Sequence, residues 1–308
     1  MSTEQELPIF FTVDDEYIPF LAVTLQSLVE NSSSKNNYVI KVLYTHINDE
    51  NKKKIKKFEK ENINIEFVDL NYYIKKVKDK LYTRDYYSNT TYFRLFLPDL
   101  YPQYNKVLYV DSDTVILRDI AELYNIDIGT NLVAGVPDGA VQQVKIFQDY
   151  VEKVVGVADY NNYFNAGILL MNLDEMRKFK FQEKFLYLLE TVKFSVAQDQ
   201  DYLNRLCKGR AKIIDSGWNV MPINGEMEKE KIKLIHYNLD SKPWHFDDVL
   251  YGEIFWKYAI KTEFYKEIKQ MQGDYTIEQK IIAKEQSKNL IELAQKESDC
   301  VGDDRGIR

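Results

Sequence analysis

Two carboxylates stand close together where the chain emerges from an apolar run. Val107-Leu108-Tyr109-Val110 leads into Asp111-Ser112-Asp113-Thr114, and Val115-Ile116 follows. Acids at i and i+2 on a strand end can converge on a divalent cation. Carboxylate oxygens are hard donors that suit Mg²⁺ or Mn²⁺. Three other groups of residues carry chemistry of their own. Asp14 and Asp15 follow the first apolar run, with Tyr17 beside them. A carboxylate there can accept from a nucleobase N–H and the tyrosine ring can stack on it, or the acids can simply cap a helix. His236, one of three histidines, precedes Lys242-Pro243-Trp244. A neutral imidazole can complete a site begun by Asp111 and Asp113, and a lysine is a point charge suited to phosphate. Tyr163-Phe164-Asn165-Ala166-Gly167 enters another apolar run, and Gln198-Asp199-Gln200-Asp201 lies downstream. Small residues let backbone approach a ligand, and Asn165, Asp199 and Gln200 offer the mixed donors and acceptors that sugar hydroxyls need. The same acids also suit the first turn of a helix.

The elements that must position these residues follow from hydrophobic periodicity. Residues 7–13, 38–45 and 63–68 read as short buried strands. Ile18, Leu21, Ala22, Leu25, Leu28 and Val29 recur at helical spacing, and the lysine-rich residues 49–61 read as a helix with a solvated face. Alternating strand and helix indicates a parallel sheet with crossover helices. Such a sheet binds ligands at the carboxyl ends of its strands, near a topological switch point. Residues 71–90 are polar and tyrosine-rich without a clean period, and read as a mobile lid or a plain surface connection. Residues 92–97 read as a helix ending near Pro98. Further apolar runs at 131–137, 166–173, 212–215 and 231–236 read as later strands or strand neighbourhoods. Phe181, Phe185, Leu188, Leu189 and Val192 mark an amphipathic helix. The pattern is helical from Glu253, and residues 277–298 alternate acids and bases along a helix. The expected organisation is a catalytic domain over 1–250, a helical C-terminal extension over 251–300 and a disordered tail over 301–308.

Composition narrows the class. The 308 residues are 45% hydrophobic and 29% charged, as in ordinary globular chains. A net charge of −7 argues against a nucleic-acid-coating protein. Cys207 and Cys300 are too few for a disulfide framework and fit a reducing compartment. The first residues lack the charge pattern of a signal peptide, and no apolar run approaches a transmembrane length of about 18 residues. The expected location is the cytoplasm.

Taken alone, Asp111-Ser112-Asp113-Thr114 has three readings. It resembles the DxD motif of nucleotide-sugar glycosyltransferases. It also resembles the DxDxT motif of haloacid-dehalogenase-type phosphatases, in which the first Asp attacks phosphorus. It can equally be two solvated acids in a turn. Beside Phe164-Asn165-Ala166-Gly167 and the spacing from His236 to Lys242-Pro243-Trp244, the residues from about Ile9 to about Trp244 resemble glycosyltransferase family 8 in order and spacing. The likeness is strongest to the branch of bacterial lipopolysaccharide galactosyltransferases and stress-protein glucosyltransferases.

That resemblance implies an α/β, Rossmann-like GT-A fold with a mixed, mainly parallel sheet flanked by helices. It implies a retaining enzyme that moves glucose or galactose from a UDP-sugar to a glycan, glycoprotein or glycolipid. It places Thr12 and Asp14 on uracil or ribose, with Tyr17 near the base, and Arg94 near the donor sugar and phosphate. It assigns Asp111, Asp113 and His236 to Mn²⁺, with Mg²⁺ as the alternative. Lys242 would hold the diphosphate, Ser112 would bind substrate, and Asn165, Asp199 and Gln200 would surround the donor hexose, with Asp199 and Gln200 as the catalytic pair. Two positions depart from the family pattern. Leu239 stands where members commonly have glycine three residues after the metal histidine, and Glu16 replaces a neutral amide. Leu239 keeps a UDP-sugar-binding protein without turnover among the readings. The C-terminal segment lacks a strongly basic, aromatic face, so the resemblance brings no membrane attachment with it, and peripheral contact stays open.

Overall fold

The computed structural model describes residues 6–75, 89–240 and 242–301. Seven strands form the main sheet in the order β3-β2-β1-β4-β7-β6-β8. They are β1 (Glu6–Thr12), β2 (Asn37–Tyr44), β3 (Ile63–Asp69), β4 (Lys106–Val110), β6 (Val133–Gly135), β7 (Ile168–Asn172) and β8 (Ala211–Ile213). β1, β2, β3 and β4 run parallel, β7 runs antiparallel to both β4 and β6, and β6 pairs parallel with β8. The sheet is therefore mixed and mainly parallel. β5 (Thr114–Ile116) and β9 (Leu234–His236) form a separate antiparallel pair.

The strands are apolar on both faces because helices cover both. Ile9 and Phe11 of β1 join one core cluster, and Phe10 between them joins the other. Leu108 and Tyr109 of β4 divide in the same way. This is the period-two alternation of a strand buried on two sides. The helices are α1 (Ile18–Asn31), α2 (Asp49–Lys56), α3 (Asn71–Lys75), α4 (Leu97–Leu100), α5 (Ala121–Tyr124), α6 (Gly139–Gln143), α7 (Lys145–Tyr150), α8 (Leu173–Lys178), α9 (Phe181–Thr191), α10 (Gln198–Leu206), α11 (Gly252–Ala259), α12 (Tyr265–Asp274) and α13 (Ile277–Cys300). None of the described helices is long and apolar enough to cross a membrane.

Some sequence expectations shift. The lysine-rich helix stops at Lys56 instead of Glu61, because residues 57–62 turn the chain into β3. Residues 92–97 are helical up to the neighbourhood of Pro98, but in 3₁₀ form, and the helix does not stop there. A 3₁₀ stretch covers Asn89–Phe96, and α4 then starts with Pro98 in its first turn. A proline is tolerated there because first-turn N–H groups have no intrahelical partner. Of the residues read as a lid, 76–88 lie outside the described residues, as does the expected tail from 302.

Chain order creates a switch point. From β1 the chain moves outward to β2 and β3, then returns to place β4 on the other side of β1. The carboxyl ends of β1 and β4 thus open a crevice from which the chain departs in opposite directions. Thr12 and Asp111 stand at those ends. Two anchors fix the far wall. α11 and α12 bury Phe255, Tyr258, Phe264 and Ile268 in the same cluster as β1 and α1. Trp244, 1% exposed, stacks on Phe20 of α1 with ring centroids 3.7 Å apart and packs on Phe255 at 5.2 Å. Trp244→Ala should cost about 3–5 kcal/mol in chemical unfolding, as expected for a buried Trp cavity. A variant as stable as wild type would show that the loop carrying Lys242 is not anchored by this ring.

Candidate active site

All twelve residues singled out in the sequence line one cleft at the switch point: Thr12, Asp14, Tyr17, Arg94, Asp111, Ser112, Asp113, Asn165, Asp199, Gln200, His236 and Lys242. The cleft has a volume of about 180 Å³. Asp14 does what a strand-end acid also does: its side chain accepts from the Tyr17 N–H at 3.2 Å and caps the 3₁₀ turn of Asp15–Tyr17.

The two sheets bring the acids to the histidine. β4 ends at Val110, the chain turns through Asp111-Ser112-Asp113, and β5 begins at Thr114. Thr114 faces His236 across the β5–β9 pair. The turn is tied to α1 by the Thr24 hydroxyl, which lies 2.8 Å and 2.7 Å from the carbonyls of Ser112 and Thr114. Among the described residues, Asp111, Asp113 and His236 are the group whose ligand atoms, all within 4.8 Å of one another, can hold a metal ion. His236 Nδ1 lies 3.0 Å from the amide oxygen of Asn219. With that oxygen as acceptor, Nδ1 carries the proton and the Nε2 lone pair faces the acids, 3.3 Å from Asp113 and 3.7 Å from Asp111. Gly167 leaves the space open: a Cβ there would lie 2.3 Å from His236 Cε1 and 2.7 Å from Asp111 Oδ2. Two carboxylates, a tautomer-fixed imidazole and a side-chain-free neighbour fit a divalent cation.

Cations already balance the acids. Lys242, 5% exposed, pairs with Asp113 Oδ2 and also donates to the Tyr237 carbonyl at 2.7 Å. Burial alone would raise the Asp113 carboxyl, but Lys242 and His236 outweigh it and hold it well below the usual carboxylate range. Arg94 joins two acids: its guanidinium is 3.2 Å from Asp111 and 3.1 Å from Asp199, and it lies over the Tyr109 ring. The Nε–H is directed at the Thr91 carbonyl, 2.9 Å away. Asp199 Oδ2 therefore gains charge attraction from Arg94 without a hydrogen bond, and is the one buried carboxylate oxygen left without such a bond among the described residues. Burial pushes the Asp199 carboxyl up to about 7, against the pull of Arg94. Thr12, Tyr109 and Asp111 form a chain: the Thr12 and Tyr109 hydroxyls are 2.5 Å apart, and Tyr109 donates to Asp111 at 2.9 Å.

The remaining wall is a web of amides around Asp138. Asp138 caps α6 by accepting from the Ala140 and Val141 N–H groups. Its other oxygen accepts from Asn165 at 3.0 Å and Gln200 at 3.2 Å. Asn165 accepts from Gly167 N and from Asn219, whose carbonyl oxygen serves His236. Gln200 accepts from the Ala166 N–H at 2.9 Å and donates to the Tyr163 hydroxyl at 3.2 Å. Tyr163 and Tyr150 in turn donate to Asp201, at 2.6 Å and 2.8 Å, and the Ala197 N–H joins them at 2.9 Å.

Sequence reasoning missed Asp138, Asn219 and Asp201 as members of this web. Asp138 carried a signal, since it follows β6 just as Asp14 follows β1 and Asp111 follows β4. Asp201 lay inside a noted run, but its tyrosine partners come from distant segments. Asn219 carried no local signal, because its role exists only through contacts with His236 and Asn165.

Asp201 generates a prediction. Its carboxyl is fully buried, and burial raises it from 3.8 to about 6 despite three donors. The folded state therefore binds more protons than the unfolded state between those pH values, and stability falls as pH rises through that window. Asp201→Asn cannot titrate. The stability gap between wild type and this variant should widen as pH drops from 7 to 4.5, measured by urea unfolding. A gap independent of pH would contradict the assignment.

Comparison with known proteins follows from this geometry. A family model described as "Glycosyl transferase family 8" matches residues 8–248. A putative glycosyltransferase of Haemophilus influenzae is 32% identical over 254 residues, covering 78% of this chain and 74% of the relative. The lipopolysaccharide 1,2-glucosyltransferase of Escherichia coli is 27% identical, covering 87% of this chain and 81% of the relative. The crystal structure of galactosyltransferase LgtC with donor and acceptor sugar analogues superposes with a TM-score of 0.70 at 27% identity, covering 85% of this chain and all of that one. The fold is that of the GT-A glycosyltransferases, and the phosphatase reading of the Asp-Ser-Asp motif has no support left. An open α/β sheet with paired acids at its switch point, matched over 8–248 by one family, belongs to glycosyl transferase family 8.

Proposed function

We propose that the protein is a retaining hexosyltransferase, moving glucose or galactose from a UDP-sugar to a glycan, glycoprotein or glycolipid acceptor. The observation that carries this reading is the meeting of Asp111, Asp113 and His236 within one cleft that also holds Lys242. The acids and the imidazole would hold Mn²⁺, or Mg²⁺ in its place. When bound, such a cation neutralises charge on a departing diphosphate.

The chain's own residues supply the rest. Thr12, Asp14 and Tyr17, at the end of β1 and the following turn, would receive the uridine. Lys242 would exchange its Asp113 partner for diphosphate oxygens, adding a fixed positive charge where negative charge develops. Arg94 would keep Asp111 and Asp199 at fixed positions, so that neither drifts when the donor enters. Asn165, Asp199 and Gln200 would surround the hexose. Asp199, with an oxygen free of hydrogen bonds, is ready to accept from a sugar hydroxyl.

Stereochemical retention then needs either a covalent intermediate or attack from the leaving-group face. Gln200 is an amide, a poor nucleophile, and it is held by Ala166, Asp138 and Tyr163. Front-face substitution fits better, with the leaving phosphate taking the acceptor's proton. The transition state would be oxocarbenium-like, as in glycoside hydrolysis. Residues 1–250 would form the catalytic unit.

Leu239 has a φ of +53°, in the left-handed region that favours glycine, so the turn adopts a backbone that a glycine there would also take. Incubation with Mn²⁺ and a panel of UDP-sugars tests the reading: slow release of UDP from a UDP-hexose is the expected result. Asp113→Asn should lower that rate by at least about a hundredfold, roughly 2.7 kcal/mol of barrier, while far-UV and near-UV spectra stay native. His236→Ala should weaken UDP binding in Mn²⁺ but not in its absence. Full activity in Asp113→Asn would remove the metal role, and UDP affinity unchanged by His236→Ala would make the histidine structural.

A further inference from the structure

The cleft has a second character that a UDP-sugar does not explain. Part of its lining is polar, with Asp14, Lys242 and Gln200 among it. Another part is apolar: Val141, Phe147, Val151 and Val196 belong to one core cluster, with Leu239 and Leu290 packed against it. Tyr150 also borders it, with its hydroxyl committed to Asp201. The apolar surface of a nucleotide-sugar is its base, which Tyr17 would receive, and the diphosphate and hexose offer little to complement a second apolar stretch. Leu290 comes from α13, which begins beyond residue 248, where the family match stops.

α13 is fastened against this apolar part. Its second half buries Ala294 and Ser298, and Leu290, Ile291 and Leu293 pack against the cluster that contains Phe147, Tyr150 and Val151. Its middle meets the turn after β9, where the Ser287 hydroxyl donates to Asp240 at 3.1 Å. Asp240 follows Leu239, the residue whose left-handed backbone presents an isobutyl side chain where the family pattern expects none. The helix and the turn thus bring two leucines to the lining of the same cleft, both packed against the same core cluster. The first half of α13 is different in kind, with Ile277 79% and Ile281 52% exposed.

We infer that α13 is an acceptor-specificity element: Leu290 and Leu239 form an apolar wall that takes the alkyl aglycone of a glycoside acceptor. The inference rests on the hexosyltransferase reading and names the acceptor class for it. The sugar of the acceptor lies between the donor hexose and the wall, and the hydrocarbon attached to it lies on the wall. A plain oligosaccharide leaves the wall wet.

The test uses the full chain saturated with UDP and MnCl₂, and measures binding of methyl and octyl β-D-glycosides of both glucose and galactose by calorimetry. Octyl glycosides are kept below their micellar concentration. Each methylene buried is worth roughly a factor of four in affinity, so even partial burial should make the octyl compound bind at least about tenfold more tightly than the methyl compound. Leu290→Ser should remove most of that preference. Leu239→Gly, which relieves the left-handed strain instead of adding a polar group, should reduce it too. Ile281→Ser, on the exposed half of the same helix, should not. Equal affinity for methyl and octyl glycosides, a preference that survives both wall variants, or no glycoside binding at all would overturn the inference. Absence of UDP binding to the wild-type protein would instead overturn the donor reading beneath it.

Discussion

Three carboxylates, Asp111, Asp113 and Asp199, share one end of the sheet. Like charges in a buried site repel unless cations stand between them. Arg94 is placed between Asp111 and Asp199, and Lys242 against Asp113. Much of the architecture serves this balance. The 3₁₀ stretch of Asn89–Phe96 brings Arg94 to β4, where the Tyr109 ring supports its guanidinium. The β5–β9 pair holds His236 opposite Thr114, beside the acids. Phe20 and Trp244 fix the loop that delivers Lys242. A site poised in this way can trade a protein cation for a ligand's without unfolding.

The same economy extends outward through hydrogen bonds that leave few groups idle. Asp138 serves a helix cap and two amides at once, and Asn219 joins the imidazole to Asn165. Asp201 takes three donors although burial disfavours its charge. Such a network is rigid because each amide has its partners chosen for it.

Much of this was legible before any coordinates. β1 and the acids after it, the Asp111 strand end, the histidine loop and the Asn165 segment each announced themselves by an apolar run ending in polar residues. The structure gathers all twelve chosen residues into one cleft. What stayed hidden depended on contacts between distant segments. No periodicity reveals that Thr114 pairs with His236, or that Asn219 reaches the imidazole. The continuation into α4, with Pro98 in its first turn, is not legible because a proline that ends one helix can also sit at the opening of the next. Leu239 was read as a departure that endangered the turn. Its left-handed backbone could not be read from a leucine, since that residue type rarely adopts it.

The central claim is that two acids and one imidazole grip a single cation beside a nucleoside diphosphate. Anomalous diffraction at the manganese edge, from crystals grown with MnCl₂ and UDP, tests it most directly. One anomalous peak should lie between the side chains of Asp111, Asp113 and His236, with diphosphate oxygens completing its coordination and Lys242 drawn away from Asp113. UDP bound in the cleft with no anomalous peak there, or a peak that lacks His236 among its ligands, would contradict the account.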